Sequence, residues 1–93
     1  MEFDWDAPKA AANRRKHGVS FEEAATAFAD PRAIEWFDDE HSGGEDRFVT
    51  IGMSAKARVL MVVYTERAGD VMRIISARKA TKAEAKAYAQ GSS

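Results

Sequence analysis

Residues 59–64, Val-Leu-Met-Val-Val-Tyr, form the longest apolar stretch of the chain. Six residues are far too few to cross a bilayer. A short continuous apolar run is typical of a strand that is buried on both faces of a sheet. We therefore expect residues 59–64 to form the central strand, with further strands beside it.

Other short segments predict those neighbouring strands. Residues 33–37 and 71–77 are rich in apolar residues and are bounded by turn residues. Residues 47–53 alternate, which places Val49, Ile51 and Met53 on one face of their strand. Residues 3–5 alternate as well, and we expect them to be either a short edge strand or an anchor packed on the core.

Capping residues predict a first helix that begins after Asp6 and runs to about Lys16. Asp6 is a suitable N-cap. Pro8 lies in the first turn, where its missing N–H does no harm. Gly18 is a suitable left-handed residue to end the helix.

Two capping boxes predict two more helices. Ser20 with Glu23 begins a second helix, which Asp30-Pro31 ends. Thr81 with Glu84 begins a third helix over residues 82–90. The apolar face of the second helix is predicted to consist of Phe21, Ala24, Ala25 and Phe28.

This order of elements predicts an α+β domain with two N-terminal helices, a three- to four-stranded antiparallel sheet and one C-terminal helix. A length of 93 residues leaves room for a single domain, residues 1–93. The chain has no cysteine, which excludes disulfides and thiolate metal sites and suits a reducing compartment. The acidic N-terminus lacks the features of a signal peptide, so we expect a cytoplasmic protein that does not enter the membrane.

Charge is divided unevenly along the chain. Residues 1–46 carry 5 Lys or Arg and 12 Asp or Glu, a sum of −7, whereas residues 47–93 carry 9 and 3, a sum of +6. A split of this size in a small domain favours a polyanionic partner, and RNA is the first candidate. A chance difference between solvated faces is the alternative.

The densest cationic cluster of the basic half is residues 73–79. Metal-free cleavage of RNA needs a base for the 2′-hydroxyl, an acid for the leaving 5′-oxygen and cations on the phosphate. Arginine suits the last role because its fork binds two phosphate oxygens. Strand alternation places Arg73 and Arg78 on opposite faces, so they share a site only if the strand ends or bends near Ala77.

Three other features allow two interpretations each. Glu66 is either a general base or a salt-bridge partner of Arg73 across a hairpin. His17 is either an acid–base group or a cation that caps its helix. The run Asp38-Asp39-Glu40-His41, at the start of the acidic loop 38–46, is either a metal site or, as we expect, part of a solvated loop.

Several motifs, taken in order, resemble the BrnT family of bacterial toxins. They are Phe3-x-Trp5-Asp6-x-x-Lys9, Asn13, Lys16-His17-Gly18-Val19-Ser20-Phe21-Glu22-Glu23-Ala24, Asp30-Pro31, Glu45-x-Arg47-Phe48 before Ile51-Gly52, and Arg73-Ile74-Ile75-Ser76-Ala77-Arg78-Lys79-Ala80-Thr81 followed by Glu84 and Tyr88. The likeness extends over nearly the whole chain. The length and order of the motifs make it specific as a set.

The resemblance implies a RelE-like endoribonuclease toxin of a type II toxin–antitoxin system that uses no metal or other cofactor. It also implies a BrnA-type antitoxin, which blocks the toxin and represses the shared operon through its own DNA-binding domain. On this interpretation the active-site candidates are Lys16, Glu66, Arg73, Arg78 and Lys79. The expected RNA-binding residues are His17, Arg47, Arg58 and Arg67.

A non-catalytic module that binds RNA or an antitoxin, such as a degenerate toxin, is the alternative, because no general acid is evident. Direct binding of operator DNA by this chain is not expected, since no helix-turn-helix with a basic second helix is predicted. Because a free toxin would be lethal, we expect an acidic or amphipathic segment of the antitoxin to cover the basic half.

Overall fold

The computed structural model describes residues 1–39 and 43–91. In chain order its elements are β1 (Glu2–Asp4), α1 (Ala7–His17), α2 (Phe21–Thr26), β2 (Ile34–Phe37), β3 (Phe48–Met53), β4 (Val59–Arg67), β5 (Val71–Lys79) and α3 (Lys82–Gly91). One 3₁₀ turn, Ala27–Ala29, follows α2 directly. In this part of the chain no helix has both the length and the apolarity that crossing a membrane requires.

The strands form one mixed sheet in the order β1-β5-β4-β3-β2. Strands β2 to β5 pair antiparallel, as their short connections predict, but β1 runs parallel to β5. The predicted sheet of three or four antiparallel strands is therefore wrong in strand number and in one pairing. Three residues are too few to reveal a strand's pairing by alternation. At the start of β1 the Glu2 N–H donates to the Asp70 carbonyl at 3.1 Å, and the ammonium group of Met1 lies 3.1 Å from the Asp70 carboxylate.

Strand β4 lies in the middle of the sheet, which confirms the prediction from the apolar run. The strand continues past Tyr64 to Arg67, because Thr65 is buried and the last residues still pair with β5. Residues 65–67 are a threonine and two charged residues, so the apolar pattern did not predict that the strand extends to Arg67.

Helices α1 and α2 cover one face of the sheet. The core cluster there consists of Val19, Phe21, Ala24, Leu60, Val62, Ile74 and Ala77. Phe28 packs edge-on against Tyr64, with 4.8 Å between the ring centroids. The predicted apolar face of the second helix is confirmed, since Phe21 and Ala24 have no exposed surface.

Helix α3 contacts β3, and its last residue, Gly91, lies against Ile34 of β2. Ile34 pairs with Ile51, so both residues lie on the face of the sheet opposite the main core. Val49 and Ile51 are buried there, whereas Met53 is exposed. The predicted alternation of β3 is confirmed.

The predicted ends of α1 and the start of α3 are confirmed. The Asp6 carboxylate accepts a hydrogen bond at the start of α1, and Gly18 ends this helix with a φ of 69°. At the start of α3, Thr81 and Glu84 each accept a hydrogen bond from the other's backbone N–H.

Only half of the predicted capping box forms at the start of α2. The Ser20 hydroxyl accepts a hydrogen bond from the Glu23 N–H at 3.0 Å. The Glu23 carboxylate turns into the protein instead of returning to the cap, and it accepts hydrogen bonds from Arg58 and Ser54. The ion pair with Arg58 is favoured over the capping bond to the Ser20 N–H, because a carboxylate buried without a cation costs more free energy than an exposed N–H at a helix end that bonds to water.

The register of β5 against β4 shifts by one residue at Ile75. An extra residue of this kind reverses the side-chain alternation beyond it. The register partners of Arg73 and Arg78 are Thr65 and Met61, which lie on the same face of β4. Both arginines therefore face the same side of the sheet. The extra residue that causes this is Ile75, two positions before Ala77, where the bend was predicted.

Candidate active site

Three basic segments meet at the C-terminal end of β5. We call this region the basic end; it comprises residues 14–18, 54–58 and 78–82. The Arg58 guanidinium donates a hydrogen bond to the Gly18 carbonyl at 3.1 Å. The Ala80 N–H donates to the Val59 carbonyl at 2.9 Å. These contacts bring the end of α1, the β3–β4 turn and the end of β5 to one end of the sheet.

Asn13 attaches α1 to β5. Its side-chain amide donates to the Ala77 carbonyl at 2.8 Å and to the Val19 carbonyl at 3.0 Å. Its Oδ1 accepts from the Ala77 N–H at 3.2 Å. Because this buried amide bonds both backbone groups of Ala77, the last turn of α1 is held beside the last residues of β5. Lys16 and Lys79 are thereby brought to the same end of the molecule.

Lys16 and Lys79 are exposed. Within residues 1–39 and 43–91, no carboxylate forms an ion pair with either ammonium group. Exposed cations without a carboxylate partner are available to a phosphate, because no internal ion pair must first be broken. His17 is half-buried in the same turn of α1 as Lys16.

Arg78 lies at the basic end but is already engaged. Its two terminal nitrogens donate to the two carboxylate oxygens of Glu84, at 2.7 and 2.9 Å. The bidentate bond from Arg78, aided by the backbone N–H of Thr81, lowers the pKa of Glu84 from 4.5 to about 2. The same pair raises the pKa of Arg78. A phosphate can use this fork only by replacing Glu84.

Arg73 forms an ion pair with Asp4 of β1, at 3.3 Å. The alternative in which Arg73 pairs with Glu66 is excluded, because the register places Thr65 opposite Arg73 and turns Glu66 to the other face. Arg73 shares its face with Arg78. At about 3.3 Å per residue, the four-residue spacing of their partners on β4 separates the two arginines by about 13 Å.

Glu66 is far from the basic end. It is exposed at the far end of β4, five residues beyond Met61, the register partner of Arg78. This spacing corresponds to about 17 Å along the strand. Glu66 is therefore separated from Arg78 both by sheet face and by distance along the strand, and it adjoins only the Arg73 end of the 73–79 cluster, where Thr65 is the register partner of Arg73.

The arginines predicted to contact RNA already have partners in the protein. Arg58 binds Glu23, whose side chain is only 2% exposed, and this pairing lowers the pKa of Glu23. Arg67 forms an exposed ion pair with Glu45 at 2.9 Å. Arg47 also interacts within the protein. The buried Arg58 pair joins α2 to the β3–β4 turn, which is a structural role that the sequence did not indicate.

The charge split along the sequence is partly cancelled in space. Arg58, Arg67 and Arg73 belong to the basic half, and their partners Glu23, Glu45 and Asp4 belong to the acidic half. The topology explains this result, because α2 and β1 of the acidic half pack against the strands of the basic half. The charge summed over half of the sequence therefore does not describe the charge of any one surface of the fold.

Part of the acidic loop, including Glu40 and His41, lies outside the described residues. The described part brings together no group of three or more His, Asp or Glu side chains suited to a metal ion.

A family model described as "Ribonuclease toxin, BrnT, of type II toxin-antitoxin system" matches residues 5–84. The chain belongs to the BrnT family of ribonuclease toxins. The match contains all the candidate residues named above, from Lys16 to Lys79. The predicted resemblance is confirmed, and membership of a toxin–antitoxin family implies an RNA substrate and an antitoxin partner.

The fold is similar to that in the 1.1 Å crystal structure of the Brucella abortus ribonuclease toxin, BrnT. The TM-score is 0.67 with 23% sequence identity, over 88% of this chain and 99% of that chain. This likeness confirms the α+β fold of a BrnT toxin. No curated protein matches the sequence significantly.

Proposed function

We propose that the chain is a metal-independent endoribonuclease whose active surface is the basic end, and that its activity arrests growth. The observation that carries the proposal is that the hydrogen bonds between Asn13 and Ala77 hold the last turn of α1, which carries Lys16, beside the end of β5, which carries Lys79. Both lysines lie within the segment that matches the BrnT family. Two cations without internal partners supply the phosphate-binding charge that RNA cleavage needs. The fold is proposed to be of the RelE-like type.

The proposed reaction begins with removal of the 2′-hydroxyl proton. We assign the base role to His17, because imidazole most often serves as a general base near neutral pH and His17 lies in the turn that carries Lys16. The 2′-oxygen attacks the phosphorus, the bond to the 5′-oxygen breaks, and the leaving 5′-oxygen takes up a proton from water, which leaves a 2′,3′-cyclic phosphate and a 5′-hydroxyl. Lys16 and Lys79 stabilise the charge that grows on the phosphate.

The two candidate arginines have secondary roles in this proposal. Arg78 joins the site when the phosphate replaces Glu84 on its fork. Arg73, on the same face of the sheet, contacts a neighbouring part of the RNA backbone. Glu66 has no role in the proposed reaction because of its distance from the basic end.

Induced expression of the chain alone in bacteria tests the proposed activity. Growth should stop and cellular RNA should shorten, whereas normal growth with intact RNA at confirmed soluble expression would refute the proposal. Purified protein should cleave RNA equally well with and without EDTA. Loss of cleavage in EDTA would show that a metal takes part and would favour the alternative of a metal site in the acidic loop.

We also propose a BrnA-type antitoxin as the partner, with a DNA-binding domain of its own. The chain would then reach operator DNA only through this antitoxin, and both proteins would act in the cytoplasm. Gel-shift experiments with operator DNA test the arrangement. DNA should be retained by the pair and by the antitoxin but not by the toxin alone.

A non-catalytic toxin that only binds its antitoxin is the second candidate. It is favoured by one observation, namely that Arg58, Arg67, Arg73 and Arg78 all form ion pairs within the described residues. The Arg73→Ala/Arg78→Ala double variant separates the candidates if wild-type protein is toxic. Lost toxicity with antitoxin binding retained supports catalysis, and unchanged toxicity removes both arginines from the site.

A further inference from the structure

Strand β2 is one edge of the sheet. In the described part of the chain, no strand pairs with its outer side. A free edge presents unpaired backbone N–H and C=O groups, and proteins usually keep such an edge short, charged or covered. Strand β2 is short, but two of its four residues are large aromatic ones.

The direction of the free backbone groups follows from one hydrogen bond. The Asp38 N–H donates to the Arg47 carbonyl at 2.8 Å, directly after β2 and before β3. Hydrogen-bonded and non-hydrogen-bonded pairs alternate along an antiparallel ladder, so Trp36 and Ile34 also bond towards β3. The N–H and C=O groups of Glu35 and Phe37 therefore point away from the sheet, at the spacing that an added strand requires.

The two aromatic side chains flank this edge on opposite faces. Trp36 and Phe37 are each 43% exposed, and with Met1 and Met53 they make up the exposed large hydrophobic residues of the described chain. Phe37 packs against Phe48 with 5.6 Å between ring centroids, so its exposed part is presented from a fixed position. An added strand would bury both rings, and buried aromatic residues contribute strongly at interfaces.

The charge around the edge decides between possible occupants. Glu35 and Asp39 are exposed carboxylates that lie before and after the two aromatic residues in the chain. These carboxylates oppose an RNA backbone, although exposed aromatic rings could otherwise stack on bases. They also oppose a second copy of this chain, because antiparallel pairing of two β2 strands would bring both sets of carboxylates to one seam. They favour a segment that carries Lys or Arg.

We propose that the free edge of β2 binds an extended segment of the antitoxin, which pairs as a sixth strand and carries both apolar and basic side chains. The identity of the partner rests on the proposed function, whereas the chemistry of the segment follows from the edge itself. This surface is separate from the basic end, where an acidic segment is expected. The edge would therefore hold the antitoxin without competing with RNA.

A pair of substitutions at Glu35 tests the edge directly. Both Glu35→Ala and Glu35→Pro remove the carboxylate that accepts from the Tyr64 hydroxyl, but only proline also removes the outward N–H. The probe is the purified antitoxin encoded beside this chain, with affinity measured by titration calorimetry. Glu35→Pro should bind about tenfold more weakly than Glu35→Ala, because one interface carbonyl loses its donor. Equal affinities of the two variants would overturn the proposal.

Hydrogen exchange of the wild-type protein provides a second measurement that needs no substitution. The amides of Glu35 and Phe37 should exchange more slowly in the complex, and unchanged exchange would overturn the proposal even if Glu35→Pro fails to fold. Trp36→Ala should also weaken antitoxin binding about tenfold while leaving RNA cleavage unchanged. Failure of wild-type protein to cleave RNA would refute the proposed function but not these binding results.

The remaining occupants are outcomes of the same experiments. If a second copy of the chain occupied the edge, sedimentation of the chain alone would show a dimer, and Glu35→Pro would abolish that dimer. A gel shift with RNA would weaken in Trp36→Ala if RNA occupied it. Either result would overturn the antitoxin proposal.

Discussion

The two ends of the sheet differ in how their cations are used. At the basic end, Lys16 and Lys79 have no ion pair within the described residues. At the opposite end, which we call the hairpin end (residues 1–2, 45 and 66–71), the terminal ammonium group lies 3.1 Å from Asp70 and Arg67 lies 2.9 Å from Glu45. The number of cations in a region therefore does not show how many of them are free of ion pairs, and the proposed phosphate-binding role of the basic end rests on that second quantity.

The largest effect expected from this difference is on RNA cleavage. The Lys16→Ala/Lys79→Ala variant should lose about 100- to 1,000-fold in kcat/KM, because each lysine stabilises charge on the reacting phosphate. Both side chains are exposed, so the midpoint of urea unfolding should stay close to that of wild type. Cleavage assays on purified protein, with circular dichroism as a folding check, measure both quantities. Cleavage within threefold of wild type would move the active surface away from the basic end.

Arg58 belongs to the basic end but serves the fold. Arg58→Ala leaves the Glu23 carboxylate buried without its cation, and the free energy of unfolding should fall by about 3 kcal/mol. Urea unfolding at pH 7 measures the loss. Glu23→Gln/Arg58→Ala should recover part of it, because the buried charge is removed together with its partner. If the free energy of unfolding of Arg58→Ala fell by less than about 1 kcal/mol, the Glu23 carboxylate would have to be stabilised by water or by another cation in place of Arg58.

Part of the fold could be predicted from the sequence alone. Local signals were sufficient for elements that depend on nearby residues, such as the cap at Asp6, the stop at Gly18 and the alternation of Val49 and Ile51. The 59–64 run identified the central strand because burial on both faces imposes apolar residues directly. BrnT membership rested on the order of long motifs and needed no geometry.

The failures concern contacts between distant parts of the chain. Asp4 and Arg73 are close only because β1 pairs with β5, and a three-residue strand gives no sign of that pairing. The extra residue at Ile75 has no marker such as glycine, so the common face of Arg73 and Arg78 could not be predicted. Asn13 was visible only as part of a motif, whereas its role depends on the Ala77 backbone.

The pair of Arg78 and Glu84 gives the basic end an acid-sensitive contact. The folded-state pKa of Glu84 is about 2, below its ordinary value of 4.5, so the pair stabilises the fold fully above pH 4.5 and this stability is lost as pH falls towards 2. The full shift corresponds to about 3 kcal/mol, and partial exposure reduces the expected contribution to about 2 kcal/mol.

Urea unfolding of wild type and Glu84→Gln at pH 7 and at pH 2.5 tests this contact. The difference in unfolding free energy between the two proteins should be about 2 kcal/mol at pH 7 and should largely disappear at pH 2.5. Other carboxylates titrate equally in both proteins and cancel in the comparison. A difference that does not change with pH would show that Glu84 acts through packing rather than charge.

The smallest effects should come from the hairpin end, where Glu66→Gln and Arg67→Ala are the informative variants. Arg67 and Glu45 form a pair whose side chains are 45% and 48% exposed, so breaking it should cost no more than about 0.5 kcal/mol. Glu66 lies about 17 Å from Arg78 on the other face, so both variants should cleave RNA within about twofold of wild type. Strong loss of cleavage in Glu66→Gln alone would contradict this expectation. It would mean that bound RNA extends along the whole sheet and that the Glu66 carboxylate takes part in the reaction, so that Lys16 and Lys79 would not be sufficient to define the active surface.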